Sequence, residues 1–290
     1  MSTSIDLGAA VVQTQAAPSG PLQAASIAPP QPESPGRRVP DIVYSAASIL
    51  TLLLAWTLLS HSSFVKPGYL PTPELLWTTF IELARDGYQG QPLLEHIKAS
   101  LLRTLSGFAA GVVVGVPLGL FSGYNARAGA MISPIMAFIR PIPPIAFIPM
   151  TVLYFGLGEV GKVVLIFFVS FNYVQTNAHA GAANFPIAYR RASETLGLTR
   201  LQTFVRIVLP GALPQIFTGL KVALALSWAV VVAAELVGAQ SGLGFMISDA
   251  ALLFRIPVVF IGIALIGAIG LAMNLTLNWL EGRIVHWKGR

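Results

Sequence analysis

Cysteine is absent from the 290 residues, and charge is scarce, with Asp, Glu, Lys and Arg together making up 10%. Without thiols there can be no disulfide, no thiolate metal site and no cysteine nucleophile. The four histidines, His61, His96, His179 and His286, are scattered and form no metal-ligand spacing. Soluble domains carry about 25% charged residues. A chain that is 54% hydrophobic, with a mean hydropathy of +0.71, therefore belongs in a lipid bilayer. The formal charge of +6 is no argument for nucleic acid. The basic residues sit in loops beside apolar runs, which is the topology signal of a membrane protein. No cofactor is expected either. The stretch GLGEVGKV at 156–163 matches GxGxxG and approaches a P-loop, yet Val163 stands where a P-loop needs Ser or Thr to hold Mg²⁺. Its flanks are apolar spans, so it reads as a tight interhelical turn.

What is present is a series of long apolar runs. Residues 1–38 are rich in Ala, Ser, Pro and Gln and are expected to be a disordered cytoplasmic tail, not a signal peptide. Residues 39–290 are expected to form one all-α integral membrane domain of six transmembrane helices, at about 42–59, 101–123, 130–154, 162–179, 212–236 and 256–280. Between the first two, residues 73–85 read as an amphipathic helix with Trp77 and Phe80 as interfacial anchors. The second span carries Gly107, Gly111, Gly115, Gly119 and Gly123, an extended GxxxG ridge for close helix approach. Such a ridge serves either a static tight pair or a contact that slides. The third span contains RPIPP at 140–144, where the prolines must break the helix. Arg140 is either a pathway residue for an anionic solute or a cap on the broken backbone, since a charge at bilayer depth costs about 3 kcal/mol. Asn172 in the fourth span, and Lys221, Trp228 and Glu235 in the fifth, are further pathway candidates. For Lys221, snorkelling to headgroups is the favoured alternative. Residues 237–255 are too apolar for a free loop and too short to span twice, which suggests a re-entrant or interfacial segment.

The most polar long segment after residue 100 is 188–214, with Arg190, Arg191, Arg200 and Arg206 opposed by Glu194. It reads as two short helices. The first closes at Gly197 and the second opens on Thr199-Arg-Leu-Gln202, a capping-box pattern. Leu201, Phe204, Val205, Val208 and Leu209 then form one apolar face, and Pro210 ends the helix. Taken alone, such a segment is also compatible with a solvated basic loop on the cytoplasmic side.

The spacing Arg191-Ala192-Ser193, Gly197, Ile207, Leu209-Pro210 resembles the EAA loop of membrane subunits of binding-protein-dependent ABC importers. Arg191 replaces the Glu of that pattern and Ser193 its second Ala; the other positions fall in register. RPIPPIAFIPMTVLYFGLG, LPGALPQIFTGLKVALALSW and AAELVGAQSGLGFMI are similar to the branch that serves taurine, aliphatic sulfonates, nitrate and related anions. The resemblance implies a permease subunit with no catalytic residue of its own. It implies a coupling elbow at 188–210, with Leu198 and Thr199 at its turn, docking on an ATP-hydrolysing subunit dimer. The implied partners are a second permease copy, a periplasmic or lipid-anchored solute-binding protein and the bilayer, with both termini on the cytoplasmic side of a bacterial inner membrane. A secondary transporter would need no such elbow and typically more intramembrane carboxylates. An intramembrane enzyme would need a nucleophile–base pair or metal ligands within its spans, and no HExxH or GxSxG occurs.

Overall fold

In the computed structural model, residues 40–62 and 68–287 are described. The expected tail at 1–38 lies outside the described residues. The chain divides after Leu52. Apart from Pro40, the described part of the first unit belongs to helix α1 (Asp41–His61), whose residues 42–50 are all exposed. An apolar helix exposed all round matches a lipid-facing surface.

The second unit holds the remaining helices. They are α2 (Pro73–Asp86), α3 (Leu93–Tyr124), α4 (Ala126–Ile139), α5 (Ile148–Phe155), α6 (Glu159–Ala183), α7 (Ile187–Thr195), α8 (Arg200–Thr203), α9 (Leu209–Glu235), α10 (Leu243–Leu252) and α11 (Ile256–Ile284). A 3₁₀ turn at Pro144–Phe147 precedes α5, and a π-turn at Phe204–Val208 joins α8 to α9. Among the described residues there is no strand.

Among the described residues, four helical stretches are long and apolar enough to cross a bilayer: 42–61, α3, 200–235 and α11; α4 and the helix after it, bent by 85°, make a fifth if taken as one broken span. The bend falls where RPIPP removes backbone donors, as expected. The remaining expected span, α6, has 25 residues and so extends roughly 37 Å. Its second half carries Asn172, Gln175, Asn177 and His179, which keep it from qualifying on apolarity.

That helix is instead sheathed by protein. The glycine ridge of α3 lies directly on it. A Cβ built on Gly111 would stand 2.4 Å from Ser170 Cβ, one on Gly119 2.5 Å from the Gln175 carbonyl oxygen, and one on Gly123 2.4 Å from that of His179. Gly107 and Gly115 meet Ile166 and Phe171 in the same way. On its other side α6 meets α9, where Gly219 accommodates the Asn177 side chain and Ser170 and Ser227 share a hydrogen bond of 2.7 Å.

Two expectations are corrected. In α2, Trp77 is exposed, but Phe80 packs inward with Leu76 against the cluster of Leu83, Tyr88, Leu243 and Val258, so only Trp77 is placed as an anchor. Beside this cluster Tyr88 donates to Asp249 (2.7 Å); burial pushes its phenol up to about 12, and the bond holds the Asp249 carboxyl below its usual range. Pro210, further, does not end a helix. Residues 200–235 run as one stretch of 36 residues. The π-turn just before Pro210 widens the backbone where a proline would otherwise clash with the preceding turn.

Gly111→Leu should lower the thermal unfolding midpoint of the detergent-purified protein, with overpacking worth about 1–3 kcal/mol or more. Gly267→Ala, in α11 where a Cβ meets nothing within 4 Å, should leave the midpoint unchanged or raise it.

Candidate functional site

The elbow is closed at both of its ends by local hydrogen bonding. After α7, the Leu198 N–H donates to the Ser193 carbonyl (3.0 Å) and the Gly197 N–H to that of Glu194 (3.0 Å). This is the Schellman arrangement, and Gly197 supplies its left-handed residue with φ +72°. At the next helix the Gln202 N–H donates to Thr199 Oγ1 (3.3 Å), and the Thr199 N–H to Gln202 Oε1 (2.9 Å), completing the expected capping box. The two halves are clamped together by Thr203 Oγ1 and Ser193 Oγ at 3.1 Å, both buried. A hydroxyl at position 193 is thereby explained. Tyr124 at the end of α3 holds the elbow from beneath. Its hydroxyl donates to the Arg200 carbonyl (3.2 Å), and its ring lies 5.2 Å from that of Phe204.

The elbow's residues sort by direction. Ser193 is buried, and Leu198, Ile207, Leu209 and Pro210 are half-buried against the chain. Arg191, Ala192, Gly197 and Thr199 face outward. The single apolar face is not realised: Val208 is buried and Phe204 half-buried, whereas Leu201 is 72% exposed and Val205 is also exposed. The π-turn rotates the register between them. Leu196, at 77% exposure, joins Leu201 on the outer surface. Beside the elbow is a cavity of about 510 Å³, bounded by Asn125 and Arg127 on one wall and Glu194 and Arg200 on the other.

The five pathway candidates separate. Arg140 is the C-cap residue of α4 and is exposed, and its guanidinium makes no hydrogen bond or ion pair among the described residues, so it does not cap broken backbone. Asn172 is buried with its Oδ1 unpaired. Lys221 is half-buried. It pairs with Glu281 of α11. Trp228 is buried, donating from Nε1 to the Ile266 carbonyl (3.0 Å), and with Lys221 it borders a cavity of about 160 Å³ against α11. Glu235 is not open to any path. It lies at 1% exposure in a polar knot at the end of the bundle opposite the elbow.

That knot was not foreseen. Arg103 of α3 makes a two-point contact with Glu159 at the start of α6, and bonds Glu235 (2.7 Å) and the Ser241 carbonyl (2.7 Å) through Nη1. Ser100 Oγ and the Gly244 N–H also donate to Glu235, at 2.8 and 2.9 Å. The Leu243 N–H donates to Ser100 Oγ (2.9 Å) and the Gly242 N–H to His96 Nδ1 (3.2 Å), so the start of α10 is tied to α3. His96 thus carries its proton on Nε2, facing the Tyr88 carbonyl at 3.2 Å. One signal was available in the sequence: Arg103 stands four residues before Gly107, on the same ridge that faces α6. Arg103→Met should leave Glu235 buried without its cation, a loss of about 3–5 kcal/mol. A fall in unfolding midpoint that Glu235→Gln partly reverses in the double variant is the expected result.

Comparison with known proteins agrees with this architecture. Residues 115–286 match the family described as binding-protein-dependent transport system inner membrane component. The taurine transport system permease protein TauC of Escherichia coli (strain K12) is 34% identical over 250 residues, 86% of this chain and 91% of the relative. The bicarbonate transport system permease protein CmpB of Synechococcus elongatus is 31% identical over 258 residues, 86% of this chain and 92% of the relative. Among solved structures, an inward-facing conformation of the MetNI methionine ABC transporter superposes with a TM-score of 0.56 at 21% identity. It covers 68% of this chain and 96% of that one, and speaks to fold alone. A broken span, a doubly capped basic elbow and this similarity along most of its length place the chain in the binding-protein-dependent transport system inner membrane component family, the membrane permeases of ABC importers.

Proposed function

We propose that the chain works as one of two identical permease copies that import a small sulfonate, taurine in the first instance, and that its elbow is the surface that docks on the ATPase subunit. The family implies an ATPase and a solute-binding protein as partners. The observation that carries the docking reading is the build of the elbow. Schellman closure, capping box and the Ser193–Thr203 clamp make a short polar segment rigid, while Leu196 and Leu201 remain 77% and 72% exposed. Apolar side chains fixed outward on a stiffened basic segment suit a partner groove, because little ordering entropy is left to lose on binding. The taurine permease relative supports the cargo; the bicarbonate relative, at similar identity, supports a second reading with a different small anion.

An orientation goes with this reading. Arg127, Arg191, Arg200, Arg206 and Arg283 gather toward the elbow end, and Glu95, Glu159 and Asp249 toward the other. Positive charge marks the cytoplasmic side, which supports a reading with the elbow on the inside.

The test is co-expression with the ATPase and receptor from the same genomic neighbourhood. Leu201→Glu, and separately Leu196→Glu, should weaken copurification of the ATPase and receptor-stimulated ATP hydrolysis. A lost interface anchor is worth about 2 kcal/mol, or about thirtyfold in affinity. Both side chains are exposed, so the permease itself should fold and unfold as wild type. A complex indifferent to both changes would mean that the elbow is only a basic loop.

A further inference from the structure

A cavity of about 200 Å³ lies between α4 and α6, bordered by Ser133, Arg140, Gln175, Thr176 and His179. It lies beside the break between α4 and α5. Gln175 is eight residues from the Ala183 end of α6, roughly 12 Å along the helix from the elbow side.

Three of its polar groups are uncommitted. Arg140 has no hydrogen-bond or ion-pair partner among the described residues. Gln175 is 2% exposed; its Nε2 donates to Ser122 Oγ (3.3 Å), but its Oε1 is buried and unpaired. His179 Nδ1 is 2.9 Å from the same Ser122 Oγ, whose own proton goes to the Gly119 carbonyl (3.0 Å). In that arrangement His179 donates from Nδ1, and its Nε2 is left as an acceptor. A buried carbonyl without a donor is disfavoured by about 1–3 kcal/mol, and the exposed Arg140 guanidinium is free to take an anion. The lining contains no carboxylate to pair with Arg140.

We propose that this cavity is a solute station on the translocation path, specific for a small molecule with an anionic group at one end and a hydrogen-bond donor at the other. Arg140 takes the anion, with a planar fork suited to a sulfonate or carboxylate. Gln175 Oε1 and His179 Nε2 take the donor, an ammonium being the strongest case. A bare oxyanion such as nitrate satisfies the first group and leaves the acceptors unpaired. The inference rests on the cargo reading above and sharpens it: an aminosulfonate fits both ends, and an unsubstituted alkanesulfonate only one.

The test is uptake by the complete transporter in proteoliposomes, with receptor and ATPase, using labelled taurine, ethanesulfonate and nitrate. Ethanesulfonate keeps the anion and lacks the donor. Replacing Arg140 leaves no buried group unpaired, and copurification of the ATPase reports assembly of each variant. Arg140→Gln should lower uptake of both sulfonates by about tenfold or more, with partial recovery in Arg140→Lys. Gln175→Leu should lower taurine uptake and spare ethanesulfonate, shifting their ratio by about fivefold. Taurine uptake in an assembled Arg140→Gln complex within about twofold of wild type would overturn the station. Equal loss of both sulfonates in Gln175→Leu would overturn its donor end. A wild-type complex that imports neither sulfonate would instead overturn the cargo reading. The Arg140 variants, assayed with the solute it does import, would then decide the station separately.

Discussion

The contact on which the spanning unit depends is the backbone-close approach of α3 to α6. It lets a helix that lipid would reject sit in the centre of a membrane protein. Asn172, Gln175, Asn177 and His179 are expensive toward hydrocarbon, but α6 meets little of it. One side is sealed by five glycines in register, and the other by α9, where Gly219 yields to Asn177 and Ser227 meets Ser170. Small residues create the proximity. Polar groups then make use of it, in a medium where packing and hydrogen bonding, not hydrophobic burial, hold helices together.

The two ends of the bundle are finished by different physics. At the elbow, order is local: a reversed-hand glycine, a threonine cap and a hydroxyl clamp act within about a dozen residues. At the opposite end it is long-range. Arg103 gathers two carboxylates from distant parts of the chain, and Ser100 and His96 receive the first N–H groups of α10. Helix starts need such acceptors. Here another helix supplies them.

This difference explains what could be read in advance. The capping box, the Gly197 stop, the broken third span and the glycine ridge are encoded by neighbours or by a fixed period, and all four stand in the structure. The apolar face drawn from Leu201 to Leu209 failed because a π-turn does not keep the 3.6 period on which it was drawn. The partners of Lys221 and Glu235 went unread for a related reason: Glu281 and Arg103 lie 60 and 132 positions away, and no local pattern announces a pair at such separation. Arg140 was singled out on solvation energy alone, an argument that needs no partner to be known.

The π-turn also has a mechanical meaning. Because it lets the backbone pass Pro210 without a stop, the strut from Arg200 to Glu235 is a single hydrogen-bonded piece of 36 residues, roughly 54 Å from tip to tip. One tip belongs to the elbow and the other is gripped by Arg103. A displacement of one end must tilt the piece, bend it or shift its far end. Both ends of the spanning unit are in this sense tied to one strut. Any free-energy coupling between elbow and knot through this strut is reciprocal.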